Sequence, residues 1–494
     1  MASRLRRPSA ARGEPSGPPM PLDLTERLAA IRRIVEAGAP VEADALLRGL
    51  SDPEPVIRRA AAWALGSLQE VRGRAALEAT LADPDASVRG FAAGALAQLG
   101  RRESRRALEG LIHDPDREVR RRVAFGLGEL GDAAAAPALG QMLDDADPQV
   151  RWTATSALGR VAGPAESALL ERLLQDPDDQ VRRGAALALG HCGLAAKAPS
   201  IRPLLEDPEP RVRVGAAVAL GRLKDRRGGE IIAARLLAED RWVKPALLVA
   251  LGRIGDPAAR TVVARCADDP AGFVRVAALR SLTQLRGTES APPMRAHLTD
   301  PLWSVRGAAA EGLGTVGDAG DLGRLLERLE DLHPWPRRGA LYALGLLDLA
   351  EAAPRIREEL KNPDPEVRLA AIWALGHLRD DGARESLAGL LRAARPARGR
   401  TRTIASGDGG PRIISDAEDR IFDSLLWSLG RLGGAEADRA AARALDEARQ
   451  RVTEEDLDRP ALLAPPAVVD GAVAPTLRAL FEAALPPAED ELGC

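Results

Sequence analysis

Lysine, cysteine, histidine and aromatic side chains are all scarce in this 494-residue chain, and each shortage removes a class of function. Of 69 basic residues only Lys197, Lys224, Lys244 and Lys361 are lysine. With abundant alanine this fits a GC-rich coding bias and a bacterial protein, so the arginine excess is not read as phosphate recognition. The formal net charge of −3 gives no bulk electrostatic case for nucleic acid or an anionic membrane. Cys192, Cys266 and Cys494 are far apart, with no Cys-x-x-Cys pair, which argues against a disulfide framework and a zinc site and fits a reducing cytoplasm. No run approaches 18 apolar residues, so no membrane insertion is expected. No Ser or Cys stands in a recognisable nucleophile setting, and no Gly-x-x-x-x-Gly-Lys-Ser/Thr loop is present. Neither catalysis, a cofactor, a metal nor a small-molecule ligand is therefore expected.

What is present is a repeat. Stepping from Arg368 toward the N-terminus by 31 residues lands on Arg337, Arg306, Arg275, Lys244, Arg213, Arg182, Arg151, Arg120, Arg89 and Arg58, eleven basic residues in strict register. A leucine follows each by seven, from Leu65 to Leu375, and a glycine follows that leucine in nine of the eleven units. Such regularity is the mark of stacked units, not of one globular core. An Asp-Pro turn precedes many of the arginines (Asp83-Pro84, Asp114-Pro115, Asp300-Pro301). An acid four residues ahead of the arginine, such as Asp85, Asp116, Asp147, Asp178 or Asp364, reads as an N-cap. Apolar residues twelve and eight before the arginine (Leu77 and Leu81, Leu139 and Leu143) predict a preceding helix. Each unit is thus two short antiparallel helices, A and B, with the arginine in the first turn of B and the Leu-Gly glycine expected to end it.

The motif Asp-Pro-x-x-x-Val-Arg-x-x-Ala-x-x-Ala-Leu-Gly, over residues 41 to 393 and a displaced last unit, resembles the short HEAT-like repeats of phycobilin lyases. The resemblance implies an all-α, right-handed α-solenoid of about twelve two-helix repeats, with B helices on the concave side and A helices outside. It also implies that the ladder of Arg58, Arg89, Arg120, Arg151, Arg182, Arg213, Arg275, Arg306, Arg337 and Arg368 is structural. Phycobilin lyases hold a chromophore and a protein substrate, and no motif here separates that activity from plain scaffolding. None of the five histidines is followed by Glu, so the His-Glu metal pairs of HEAT-repeat iron hydroxylases are missing.

Along the chain, residues 1–20 read as a disordered lead and 21–40 as an N-terminal capping helix with Leu24, Leu28, Ile31 and Val35 on one face. Residues 41–434 hold the repeats. In the twelfth, Trp427-Ser-Leu-Gly430 arrives 23 residues late, and the extra length, 395–416, reads as a loop that is either a functional excursion or tolerated disorder. Residues 435–494 read as a capping helix, a Pro-rich link and a short amphipathic helix that serves as a cap or as a ligand for another protein.

Helical phase points to function. Positions −1, +3, +7 and +10 from the arginine are apolar and share one direction, whereas +5 points almost opposite. Yet +5 carries Trp63, Phe125, Tyr342, Trp373 and, in the displaced unit, Trp427. A second row just before the arginine carries Trp242, Phe273, Trp303 and Trp335. In repeats 8 to 10 the acidic cap is replaced by Ala271, Leu302 and His333. These nine rings are the candidate surface for a partner protein or peptide; packing between neighbouring repeats is the alternative. The expected function is a non-catalytic scaffold or adaptor. A phycobilin lyase-like lyase or isomerase subunit is the second reading, and a nucleic-acid-binding HEAT-like protein the third.

Overall fold

The structure, a computed structural model, describes residues 23–37, 43–161, 163, 166–393, 402–405, 411–414 and 417–432. The lead at 1–20 and the segment 435–494 lie outside the described residues. The chain is an all-α solenoid of paired helices and divides into two compact units, Met1–Arg235 and Leu236–Cys494.

The first unit opens with helix Leu24–Ala37 and continues through the B helices of repeats 1 to 6: Pro55–Ser67, Ala86–Leu99, Arg117–Glu129, Pro148–Val161, Asp179–His191 and Pro210–Arg222. The A helices between them are shorter, from four residues (Ala198–Ile201) to seven (Arg74–Thr80, Ala136–Met142), most entered through a 3-10 turn. In the second unit the B helices are Lys244–Ile254, Gly272–Leu285, Trp303–Val316, Pro334–Leu346, Pro365–Leu378 and Ala417–Leu432. Within each unit consecutive B helices pack on one another and on their own A helices. The core follows the phase: the +7 leucines from Leu65 to Leu375 are sealed, with the +3 residues and the −1 valines around them. Each such leucine contributes about 1.5–3 kcal/mol.

The basic ladder ties unit to unit. Arg58 donates to Asp83 at 2.6 Å, Arg89 to Asp114 at 2.7 Å and Arg182 to Asp207 at 2.8 Å, each acceptor lying in the Asp-Pro turn of the next repeat. The same guanidinium reaches back to its own turn, Arg89 Nη1 donating to the carbonyls of Asp83 and Pro84 at 2.8 and 3.1 Å. Lys244 to Asp269 (2.9 Å) and Arg306 to Asp331 (2.6 Å) continue the pattern in the second unit. Asn362 stands where Arg337 would find its aspartate, and Glu359 accepts from Arg337 instead at 2.9 Å. Arg213 and Arg368 donate to the carbonyls of their own turns. Burial alone would raise Asp114, but hydrogen bonds from Arg89 and a backbone amide hold it below the ordinary carboxylate range.

Three expectations need correction. The N-terminal helix does more than cover an end: Arg27 lies one further step of 31 back from Arg58 and pairs with Asp52 at 2.7 Å, and the helix buries Ile31 and Ile34 while leaving Leu24 exposed. It is an extra B helix. The Leu-Gly glycine does not end its helix. A Cβ on Gly128 would stand 2.9 Å from the Cα of Ala157, and one on Gly190 2.7 Å from that of Ala219, so these glycines are spacers that let B helices approach. Left-handed residues that end the helices come three positions later, at Gly100, Gly131, Gly193 and Gly255, and also at Gln69, Lys224, Asp348 and Arg379. Finally, the 395–416 insertion is not all loop: Arg402–Ala405 and Pro411–Ile414 form an antiparallel two-stranded ladder, with Arg402 opposite Ile414. Thr403, Ile404, Ile413 and Ile414 favour strand, and the Gly-Asp-Gly-Gly between them favours a reversal.

A candidate protein-interaction surface on the B helices

The +5 position is half-buried or exposed in every repeat but one, so its direction away from the core is correct. Coverage by neighbours then decides the fate of each ring. Trp63, 44% exposed, and the exposed Phe125 both adjoin Gly94, the +5 residue of repeat 2, and Phe125 has Ser156 on its other side; small neighbours leave these rings open. The guanidinium of Arg160 lies 6.0 Å from the Phe125 ring, and Arg122 lies 4.2 Å over Phe91.

In repeats 10 to 12 three successive +5 positions are aromatic and they close on themselves. Trp373 meets Tyr342 edge-on at 5.2 Å, stacks on His377 at 4.4 Å, and runs parallel to Trp427 at 6.5 Å. The Trp373 indole is only 7% exposed, and burial pushes the Tyr342 hydroxyl up to about 12. Trp373 was expected on the open surface; its aromatic neighbours on both sides seal it, so it is a packing residue, with Tyr342 and Trp427 half-buried beside it. Burial, with the nearby Arg431 charge, also holds His377 below the usual imidazole range.

The row before the ladder position behaves differently. Trp242 is 65% exposed and stacks on the exposed Phe273 at 5.1 Å with the planes 13° apart. Trp303 is 42% exposed, stacks on His333 at 3.8 Å, and tilts against Trp335 at 5.3 Å. Leu302 is exposed, its side chain lying over Gly272 beside Phe273, and Leu332 is fully exposed. Trp335 is half-buried. An almost continuous apolar strip therefore runs over repeats 7 to 10.

Side-chain caps are missing in part of the strip and also outside it, at Glu54 in repeat 1 and Glu209 in repeat 6. Asp85, Asp116 and Asp178 accept from the amides of their first turns, as Asp364 does in repeat 11, whereas Ala271 and Leu302 offer no side-chain cap. His333, read from sequence as a lost cap, still caps: its Nδ1 accepts from the Trp335 amide at 3.2 Å. The arginines and histidines at +9 are partly occupied, Arg160 with Glu129 at 3.0 Å and Arg222 with the His191 ring at 3.3 Å.

Burial raises the thiols of Cys192 and Cys266, which keeps both from thiolate chemistry near neutral pH. Among the described residues no group of three or more His, Cys, Asp or Glu is placed to hold a metal, and no helix is long and apolar enough to cross a membrane.

With this geometry the chain belongs to the HEAT-repeat family: the family's model, described as HEAT repeats, matches eight overlapping stretches running from 23–97 to 322–406. The match is to HEAT repeats at large and does not single out the phycobilin lyase type. No curated protein matches. Among solved structures, the chain is similar to Kap95p, determined in a study of its binding to RanGDP, with 13% identity and a TM-score of 0.53, over 87% of this chain and 68% of that one. Importin beta gives 15% identity and a TM-score of 0.52 over 87% and 67%. The CpcE–CpcF phycocyanin lyase complex of Nostoc sp. aligns at 24% identity over 61% of this chain and 97% of that one, with a TM-score of only 0.27. At such identities the first two likenesses show the solenoid fold and nothing of function, and the third carries no argument.

Proposed function

We propose that this protein is a non-catalytic scaffold that holds another protein by an extended segment or helix laid on the B-helix face of repeats 7 to 10. The observation that carries the reading is the strip of Trp242, Phe273, Leu302, Trp303 and Leu332, five large apolar side chains left in water on adjacent repeats. Desolvating such a strip is favourable, and scattered single exposures do not form one. Rigid indole and phenyl rings supply contact area at little conformational cost, which is why aromatic residues dominate binding hot spots. The solenoids that share the fold are recorded with protein partners, Kap95p with RanGDP and Kap95 with Nup1, and this use of the architecture supports the same use here.

The test is affinity capture from the native host by the intact chain beside a Trp242→Ala/Phe273→Ala/Trp303→Ala form, with unfolding followed on both. Loss of a partner by at least about tenfold with little change in melting supports the reading. Equal capture by the two forms, or unfolding of the triple variant like a core mutant, refutes it.

A further inference from the structure

Beyond the repeats the chain carries one more apolar face, outside the described residues. Leu477, Leu480, Phe481 and Leu485 share one side of the helix that their spacing predicts over 476–485, with Arg478 and Glu482 off it. Ten residues give about 15 Å of helix, too short to persist alone in water. Such a helix holds only where its apolar face is covered. In the unit Leu236–Cys494, which includes it, seven large apolar side chains are exposed among the described residues, and five of them, Trp242, Phe273, Leu302, Trp303 and Leu332, form the strip.

Charge narrows the seat. Residues 476–491 carry one basic residue, Arg478, against Glu482, Glu489, Asp490 and Glu491. Four positions before the ladder residue, repeats 1 to 7 and repeat 11 each present an acid, from Glu54 to Asp364, whereas repeats 8 to 10 present Ala271, Leu302 and His333. The first turns of these three B helices hold no acid either. An acidic segment is repelled at repeats 1 to 7 and 11, and at 8 to 10 it meets apolar side chains and positive helix ends. Reach agrees with charge. The B helix of repeat 12, Ala417–Leu432, lies three helix spacings of about 8–10 Å from that of repeat 9, or about 25–30 Å. A coil of the 43 residues 433–475, or of about 25 if 435–452 is helical, averages about 25–40 Å end to end. A tether matched to its span gives an effective concentration on the order of millimolar, enough for a weak helix to occupy its seat.

We propose that residues 476–485 dock as a helix on the strip of their own chain, over Phe273, Leu302 and Trp303 of repeats 8 and 9, and cover the partner surface until a partner displaces them. This seat rests on the interaction surface proposed above and adds its regulation. Neighbouring B helices lie about 8–10 Å apart, so about 15 Å of docked helix meets two repeats and leaves Trp242 and Leu332 beyond its ends. Those uncovered side chains give an incoming segment a foothold before it exchanges with the tail. A longer partner that spans repeats 7 to 10 buries more apolar surface than the tail, which holds only through its tether.

The test places p-benzoylphenylalanine at Phe481 in the intact chain, irradiates it at high dilution and maps the photoadducts by mass spectrometry. An adduct within one chain, to the first turns of repeats 8 and 9 around Phe273 and Trp303, is expected. Adducts only to 417–452, where the segment would close the array, adducts that join two chains, or no adduct would each overturn the proposal. Partner capture separates its failure from that of the surface. Leu480→Asp/Leu485→Asp, outside the repeats, should raise capture from the native host about fivefold or more with unchanged melting, since an internal competitor is removed. A fall in its melting like that of a core variant would place the segment in the packed array and overturn the proposal. Capture unchanged by this form but lost in Trp242→Ala/Phe273→Ala/Trp303→Ala overturns the tail's seat and leaves the partner surface standing. An adduct at repeats 8 and 9 with capture indifferent to both forms keeps the seat and refutes the partner surface.

Discussion

Repeats 2 to 5 and repeats 8 to 10 share one 31-residue frame, yet they close the first turn of the B helix differently. In the first group an aspartate, as at Asp85, accepts amides at 2.9 and 3.2 Å, and the residue it caps is polar: Ser87, Glu118, Gln149 or Gln180. In the second group Ala271 and Leu302 leave the turn uncapped, and Phe273, Trp303 and Trp335 occupy its first residues. The +7 leucine is sealed in both groups, and the ladder runs to aspartate in repeats 8 and 9 and to Glu359 from Arg337 in repeat 10. A solenoid whose stability lies in nearest-neighbour stacking can therefore change a surface turn by turn without redesigning its core. Each missing cap costs about 1 kcal/mol, a loss the frame also absorbs at Glu54 and Glu209, outside the strip.

The sharpest way to break this contrast is to remove rings that the structure assigns to opposite roles. Trp373→Ala should cost about 3–5 kcal/mol in urea unfolding, as a core Leu313→Ala would, whereas Trp303→Ala should cost under about 1.5 kcal/mol. Similar losses for the two tryptophans would erase the distinction between packing and exposed rings. Next is the ladder. Asp114 is deprotonated more easily in the folded chain than in the unfolded one, so its contribution is complete at neutral pH and is lost as pH falls below about 4. Asp114→Asn leaves Arg89 without its charged partner and should destabilise by roughly 3 kcal/mol at pH 7, with a smaller penalty near pH 3. A penalty that does not shrink in acid would show that the pair is not the source. The smallest effect is expected from restoring a cap: Leu302→Asp should stabilise by about 0.5–1 kcal/mol in thermal unfolding while weakening partner capture.

The frame was legible because a period of 31 with an arginine, a proline turn and a leucine in phase leaves few other folds open, and the direction of +5 follows from helix geometry alone. What escaped was whatever depends on a neighbour. Phase says that Trp63 and Trp373 point the same way, but Gly94 beside one and Tyr342 and Trp427 beside the other decide which ring meets water. The Leu-Gly glycine looked like a helix end because glycine so often is one, and only the approach of Ala157 to Gly128 shows it to be a spacer. Arg27 was readable from its spacing to Asp52, which matches that of Arg58 to Asp83, and one further step along the register finds it. Arg280 and Glu311 were legible as charged residues at successive +5 positions, but nothing in the register says that Trp335 crosses repeat 9 at Gly307 to lie under Arg280.

The most direct test places photoreactive p-benzoylphenylalanine at Trp303 in one form of the intact chain and at Trp63 in another, and compares the adducts formed with the captured partner. The account predicts a discrete adduct from position 303 and none of the same mass from position 63. An adduct from 63 alone, or the same adducts from both, would contradict a binding surface on repeats 7 to 10.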